Sequence, residues 1–568
     1  MLRHPTDLLR EARRVGTVQT LRAVARPSAC PRCAHALDLH GACEACGYAR
    51  RLSAREWIDL LVEPRTFAPF GPALVADPIE FRHEASYPDQ LAQARSTTGA
   101  DESVQSGRAL VGRRAVVVVA FDFAFLGGSL GVAAGERVVE ALTTAAAEGV
   151  PAVMVVASSG ARMQEGLPAL FQMARTSAAA VELRRAGVPF VAILTDPTTG
   201  APYASVANLA DVVLAERGAL VGFAGPRVVE AVTGEPAEGL RADELGERGI
   251  LDAALARTEL RPALATLLEL LVRRPPLSEA GQRLALPLPQ LPADRWALVQ
   301  AIREPGWPSG RAWLDGLAER QFVLRGDRTG EDDPALVVAL AEIAGERVLA
   351  IAQDRSGGTG LVGPAGYRKA IRGLRIAARL RLPVLTILDG PGAAVGAEAD
   401  RQGIAVWLAE SFAALLEQPT PVVSLVVGQG SSGGAIALAA GDRILMLERS
   451  IFSVIAPEGA AAIISRDPGR APEWAEALRL SAADAQRLGL VDGVLPEPRS
   501  PVLSHALRVR RARVVLARAF AELRTQPAEE LTARRRQRFL DATRPLARPA
   551  PQPAEEHPPA TDRSEDIA

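Results

Sequence analysis

At 568 residues the chain is too long for a single hydrophobic core, so two large domains with appendages are expected. Hydrophobic residues make up 48% and charged residues 23%, the balance of an ordinary globular protein, and a net charge of −1 gives no global reason to expect a nucleic-acid or membrane-surface partner. The longest apolar run, around Val116–Phe121, falls far short of the roughly 20 residues of a membrane helix, and residues 1–16 lack the apolar core of a signal peptide; the expected compartment is the cytoplasm.

Residues 1–28 form a basic N-terminal extension with a helical pattern. Residues 29–50 hold all four cysteines as CPRC and CEAC, namely Cys30, Cys33, Cys43 and Cys46. Two CxxC pairs supply four thiolates for a tetrahedral zinc, and a site with all four positions filled is structural, not catalytic. A redox CxxC or a disulfide pair is the alternative, disfavoured because two pairs exceed one redox site and a cytoplasmic chain rarely keeps disulfides. From 51 to 274, strand runs such as AVVVVAF and VPFVAILTD alternate with helical patterns, including one helix from Met163 to Ala186. That alternation indicates α/β architecture. Residues 275–295 are proline-rich and aperiodic, as a linker would be. The pattern restarts over 296–540, with strands in Leu336–Ala352, a helix over Tyr367–Leu380 and another over Arg401–Leu416. Residues 541–568 cannot bury a core and read as a disordered tail.

The two halves share one plan. Residues 195–227 and 426–458, offset by 231 positions, each run from a glycine-containing loop through a small-residue helix to two short strands. Four glycine loops fall at strand-to-helix turns: around Gly160 and Arg162, at Thr199-Gly200-Ala201, at Asp389–Gly392, and at Gly430–Gly434. Helix starts of this kind expose unpaired N–H groups at a positive dipole end. Side-chain catalysis is poorly supplied, because none of the six histidines lies in these loops or in the strands between them. Gly430-x-Ser432-x-Gly434 matches a nucleophile elbow formally, but a Ser–Asp–His triad of that order would need His505 or His557. No GxxxxGK[ST] phosphate loop is present. What remains is oxyanion stabilisation by backbone amides. The ribbon could instead bind RNA through Arg32, Tyr48, Arg50 and Arg51, although a lid or interface role fits it better.

The motifs carry a resemblance. Through the paired CxxC motifs, FDFAFLGGSLG, SSGARMQEG, TDPTTG and GFAGPRVVE, the first half resembles the β subunit of bacterial acetyl-CoA carboxylase carboxyltransferase. Through GYRKAIR, GQGSSGGAIALAAGDRILML, FSVIAPEGAAAII and LGLVDGVLPEP, the second half resembles the α subunit. The resemblance implies two crotonase-like (ββα spiral, ClpP/crotonase) domains behind the zinc ribbon, in a β-then-α fusion. It implies transfer of CO2 from carboxybiotin, supplied on a biotin carboxyl carrier protein that works with a biotin carboxylase, to acetyl-CoA, giving malonyl-CoA. A homodimer would correspond to the α2β2 assembly of the separate subunits. The family's oxyanion glycine pairs fall here on Gly433-Gly434 and on Gly200-Ala201, so the first pair has lost one glycine and is followed by Pro202. Ala201 can still donate its N–H if its φ is negative. Gly160 is expected to line the substrate site, and Arg162 and Arg368 are the candidates for holding CoA phosphates.

Overall fold

The computed structural model describes residues 29–37, 41–43, 45, 48–71, 74, 77–81, 86–234, 241–272, 286, 289, 290, 292, 294–497 and 505–542. The N-terminal extension, most of the linker and the C-terminal tail from residue 543 onward lie outside the described residues.

The first half builds a sheet from β1 (Ala68–Phe70), β2 (Val104–Val111), β3 (Arg114–Phe121), β4 (Ala152–Ser158), β5 (Phe190–Thr199), β6 (Val212–Glu216), β7 (Val221–Gly222) and β8 (Ala253–Leu255). Its order is β1-β2-β3-β4-β5-β6-β8, with β7 also paired to β5. The second half repeats this with β9 (Ala318–Leu324), β10 (Leu336–Ile343), β11 (Glu346–Gln353), β12 (Val384–Gly390), β13 (Val422–Ser431), β14 (Arg443–Leu447), β15 (Ile451–Ser453) and β16 (Gly493–Leu495), in the order β9-β10-β11-β12-β13-β14-β16 with β15 on β13. In both sheets the first three strands are antiparallel and the rest parallel. The near-continuous apolar runs of the parallel strands follow from this, since such strands are covered on both faces: every residue of β4 and β12 is buried, and so is every residue of antiparallel β10.

Helix Val132–Glu148 lies on the first sheet with Leu167–Arg185 packed against it, and Pro364–Leu380 lies on the second with Ile404–Leu416 packed against it. Two expected helices are broken by glycine. Gly166, at φ 56°, divides Met163–Ala186 into a 3-10 turn and helix Leu167–Arg185. Gly403, at φ 77°, separates Ala397–Arg401 from Ile404–Leu416. In each case the left-handed backbone ends one helix and begins the next. At the end of the expected linker, Asp294 caps a helix that begins at Arg295. Helices His505–Arg524 and Ala528–Asp541 close the second core through Leu516, Phe520 and Leu531.

The two halves are not independent. One apolar cluster joins Leu260, Leu264 and Leu267 of the first half to Leu340, Leu349 and Ile351 of the second. Beside it, buried Asp252 receives Arg328 at 2.6 Å and Arg372 at 2.7 Å across the boundary. Among the described residues no helix is long and apolar enough to cross a membrane.

Candidate active-site loops and zinc ribbon

Parallel strands β4 and β5 end side by side, and a register shift after Val156 splays their ends. Gly160, at φ 123°, and Gly200, at φ 70°, meet there. A methyl on Gly200 would lie 2.6 Å from the Gly160 Cα, so this contact requires glycine on steric as well as conformational grounds. The Gly200 N–H is engaged by the carbonyls of Gly222 (3.3 Å) and Phe223 (3.1 Å), and the Gly160 N–H by Ser158 Oγ at 3.1 Å. Gly200 therefore supplies the turn and not a free donor, contrary to the role expected for it. Ala201 avoids positive φ, its side chain lies in the core, and its N–H has no partner among the described residues. The condition set by the sequence for a surviving donor is met at Ala201.

The second half repeats the arrangement. A register shift after Leu388 splays β12 and β13. Gly392, at φ 134°, stands where Gly160 stands, and Val362 bridges to Ala393 as Leu130 bridges to Ala161. β13 turns at Ser432, φ 63°, into helix Ser432–Ala439. The N–H groups of Ser432, Gly433 and Gly434 belong to the first helical turn, where no intrahelical acceptor exists. Gly433 is exposed, and a methyl on it would meet nothing within 4 Å; one on Gly434 would meet Ala393 N at 2.5 Å and Tyr367 Oη at 2.7 Å. Gly433 thus borders open space while Gly434 is wedged against its support.

Ser432 does sit on a strand-to-helix elbow, but among the described residues no histidine is hydrogen-bonded to it. His505 hydrogen-bonds the Ala312 carbonyl at 3.2 Å and packs edge-on against Trp313, and burial lowers its pKa. His557 lies outside the described residues. The carboxylates near the loops are held in place. Asp389 receives Arg355 Nη1 at 2.6 Å and the Gly310 N–H at 2.9 Å; burial pushes its carboxyl up against the pull of Arg355.

Arg162 is a structural cation. It is 1% exposed, and its donors go to Glu102 (2.5 and 2.9 Å), Tyr87 Oη (3.0 Å), and the hydroxyls of Ser103 (2.9 Å) and Ser129 (3.1 Å). All five N–H groups of a guanidinium are thereby used, leaving none for a CoA phosphate. Arg368 is bonded to Asp327 and Glu331 at 2.7 Å each, with its guanidinium 5.6 Å from the Trp407 ring centre. No local pattern marks Glu102 or Tyr87 as partners of Arg162, since they lie 60 and 75 residues away.

In the ribbon, Cys30, Cys33 and Cys43 converge with their sulfurs within 4.8 Å of one another, and Cys33 and Cys43 are 3.5 Å apart. Thiolates on one tetrahedral zinc, at Zn–S of about 2.3 Å, lie roughly 3.8 Å apart, so the cluster fits that metal. The knuckles are alike: Cys30 N–H bonds His35 O, and Cys43 N–H bonds Tyr48 O, both at 2.7 Å. Cys46 follows Cys43 at the spacing of Cys33 from Cys30 but lies outside the described residues. Of the face considered for RNA, Arg50 is bonded to Glu56 (2.6 Å), while Arg51 reaches Asp196 (3.4 Å) and stacks over Phe123. These arginines tie the ribbon's end to the first domain, Arg50 through Glu56 of helix Ala54–Leu61 and Arg51 through Asp196 of β5, the strand that leads to Gly200.

The chain's relatives agree with this geometry. Residues 49–248 match the carboxyl transferase domain family, and residues 291–543 match the acetyl co-enzyme A carboxylase carboxyltransferase-like family. The acetyl-coenzyme A carboxylase carboxyl transferase subunits beta/alpha of Salinispora tropica is 43% identical over 519 residues, covering 88% of this chain and 92% of that protein. The probable biotin-dependent acyl-coenzyme A carboxylase beta3 subunit of Mycobacterium tuberculosis is 40% identical over 471 residues, covering 82% and 94%. The crystal structure of transcarboxylase 12S shares the fold, with a TM-score of 0.65 at 22% identity over 84% of this chain and 90% of that one. A duplicated crotonase-like α/β chain with paired glycine loops defines the class, a carboxyltransferase. The chain belongs to the biotin-dependent acyl-CoA carboxyltransferase family.

Proposed function

We propose that this chain is the carboxyltransferase component of acetyl-CoA carboxylase, transferring CO2 from carboxybiotin on the biotin carboxyl carrier protein to acetyl-CoA to give malonyl-CoA for fatty acid synthesis. The observation that carries the reading is the pair of equivalent strand-end turns, at Ala201 and at Ser432–Gly434, each offering unpaired backbone N–H groups with no histidine beside them. Such donors suit a reaction whose base comes with the substrate. Carboxybiotin loses CO2 and leaves a ureido anion, and that anion takes a proton from the acetyl methyl carbon. The resulting thioester enolate attacks the CO2 carbon, and the malonyl carboxylate forms. Negative charge passes through the ureido and enolate oxygens, where aligned N–H donors act most strongly. Bound zinc would supply rigidity to the ribbon held by Cys30, Cys33, Cys43 and Cys46, and no chemistry. A biotin carboxylase would regenerate the carboxylated carrier, and a homodimer would correspond to an α2β2 assembly.

The second reading is a carboxyltransferase for another acyl-CoA. It is favoured by the similarity to a protein named for acyl-coenzyme A. One assay separates the two. Purified protein is given biocytin and malonyl-CoA, methylmalonyl-CoA or a longer 2-carboxyacyl-CoA, and acyl-CoA and carboxybiocytin are measured. The highest kcat/KM with malonyl-CoA is expected. Preference for a longer substrate favours the second reading, release of CO2 without carboxybiocytin indicates a decarboxylase, and no turnover with any of them defeats both transferase readings.

A further inference from the structure

Gly433 and Gly434 are adjacent glycines, the dipeptide with the most backbone freedom to lose, and Gly433 touches nothing on its open side. A pair of donors useful against a developing oxyanion must nonetheless be fixed before the charge appears. The described structure holds this turn from behind. Tyr367 Oη donates to the Gly434 carbonyl at 3.2 Å, and Gln353 Nε2 donates to the same oxygen at 3.1 Å. Both side chains are completely buried. Burial raises the Tyr367 hydroxyl well above its ordinary pKa, so it remains a donor throughout the working pH range. Gln353 makes its bond at a cost, because its Oε1 is buried with no hydrogen-bond partner. Reversing the amide would set two carbonyl oxygens against each other, so the orientation is dictated by Gly434. The first half has no counterpart: the fourth residue of its equivalent helix is Gly135, and its turn is held by the backbone bonds of Gly200 instead.

We propose that Tyr367 and Gln353 are positioning residues that clamp the Gly434 carbonyl and so aim the Gly433 and Gly434 N–H groups at the reacting oxygen. The inference rests on the reading of this turn as an oxyanion site. It deepens that reading by naming what keeps the site in shape.

The test uses the full chain and the variants Y367F and Q353M, each close in volume to the residue replaced. In the malonyl-CoA and biocytin assay, kcat should fall ~10- to 100-fold in each variant, below the 10²–10³ reported for deleting one oxyanion donor outright, with KM for malonyl-CoA changed less than about twofold. A packing role alone would not separate kcat from KM in this way. An unchanged kcat, or a loss confined to KM, overturns the proposal. Hydrogen exchange at the amides of Ala435 and Ile436, the first in this helix to have intrahelical acceptors, provides a readout that does not need turnover. It should accelerate at least ~10-fold in both variants relative to β13, whose amides report on the core; equal exchange in wild type and variants overturns the clamp even if the protein proves inactive with every acyl-CoA. If one variant fails to fold, the other carries the test.

Discussion

Asp211 and Asp442 do the same work in the two sheets and are answered by different parts of the chain. Each carboxylate accepts the N–H at the start of a central strand, Phe190 in one case and Val422 in the other, both at 2.8 Å. Asp442 is paired with Arg535 of the C-terminal helix at 2.6 Å, whereas Asp211 is paired with Arg379, which belongs to the other half of the chain. A second carboxylate follows the same rule: Arg538 meets Asp492 at 2.6 Å, and Arg372 meets Asp252 at 2.7 Å. Helix Pro364–Leu380 thus does for the first domain what Ala528–Asp541 does for the second, and this welds the fusion.

Replacing Arg379 by methionine leaves Asp211 buried without its cation and should destabilise the interface by about 3–5 kcal/mol. The pH dependence follows from the carboxyl. Burial raises Asp211, and Arg379 opposes that shift, so the pKa in R379M climbs further. An acid with its folded pKa above its unfolded pKa stabilises at low pH and loses that contribution as pH rises through the folded value. The R379M deficit in urea unfolding should therefore be largest near about pH 8 and shrink toward about pH 5. A deficit that grows on acidification would contradict the assignment.

Alanine at the two second-half glycines should separate site from scaffold. G433A adds a methyl into open space and should melt within about 1 kcal/mol of wild type, while kcat drops if the oxyanion sits there. G434A forces a methyl onto Ala393 N and Tyr367 Oη and should cost about 1–3 kcal/mol in stability as well as activity. Thermal melts beside kcat measurements on both variants check this, and identical melts would show that the Gly434 wedge is misread.

Zinc should be present at about one per chain in reduced protein, and C33S or C43S should abolish it. The ribbon is tied to the body through Arg50–Glu56 and Arg51–Asp196, and the sheets do not depend on it, so chelation should leave the main unfolding transition in place. Metal analysis that finds none in freshly purified wild type would remove the metal assignment.

The duplication, the sheet-forming runs and the glycine turns were legible because each is local. VVVVAF and VVSLVVG declare buried strands, and Gly430–Gly434 declares a tight turn. The helix breaks were not read, because Gly166 and Gly403 sit in apolar periodic stretches and only their left-handed φ reveals the break. Arg162 looked like a ligand-binding residue because it follows a glycine turn; its burial depends on Glu102 and Tyr87, which no short-range pattern connects to it. The cysteine spacing anticipated the cluster of Cys30, Cys33 and Cys43 that could hold a metal, but not that Arg50 and Arg51 face the protein instead of an external partner.

The departure at Ala201 admits a direct test. Its methyl lies in the core beside Val206 and Ala207, and its φ is not left-handed, so alanine is tolerated where the related pair has two glycines. A201G removes one buried methyl and loosens the turn, which should cost about 1 kcal/mol. Its N–H is unchanged, so if Ala201 donates as proposed, kcat with malonyl-CoA should remain within about threefold of wild type, a shift of less than ~1 kcal/mol in barrier. A201P deletes that donor while Pro202 already lacks one, and kcat should fall ~10²-fold or more. If A201P turns over as fast as A201G, with both folded by thermal melt, the first-half donor is not Ala201 and the N–H must be sought elsewhere in the turn.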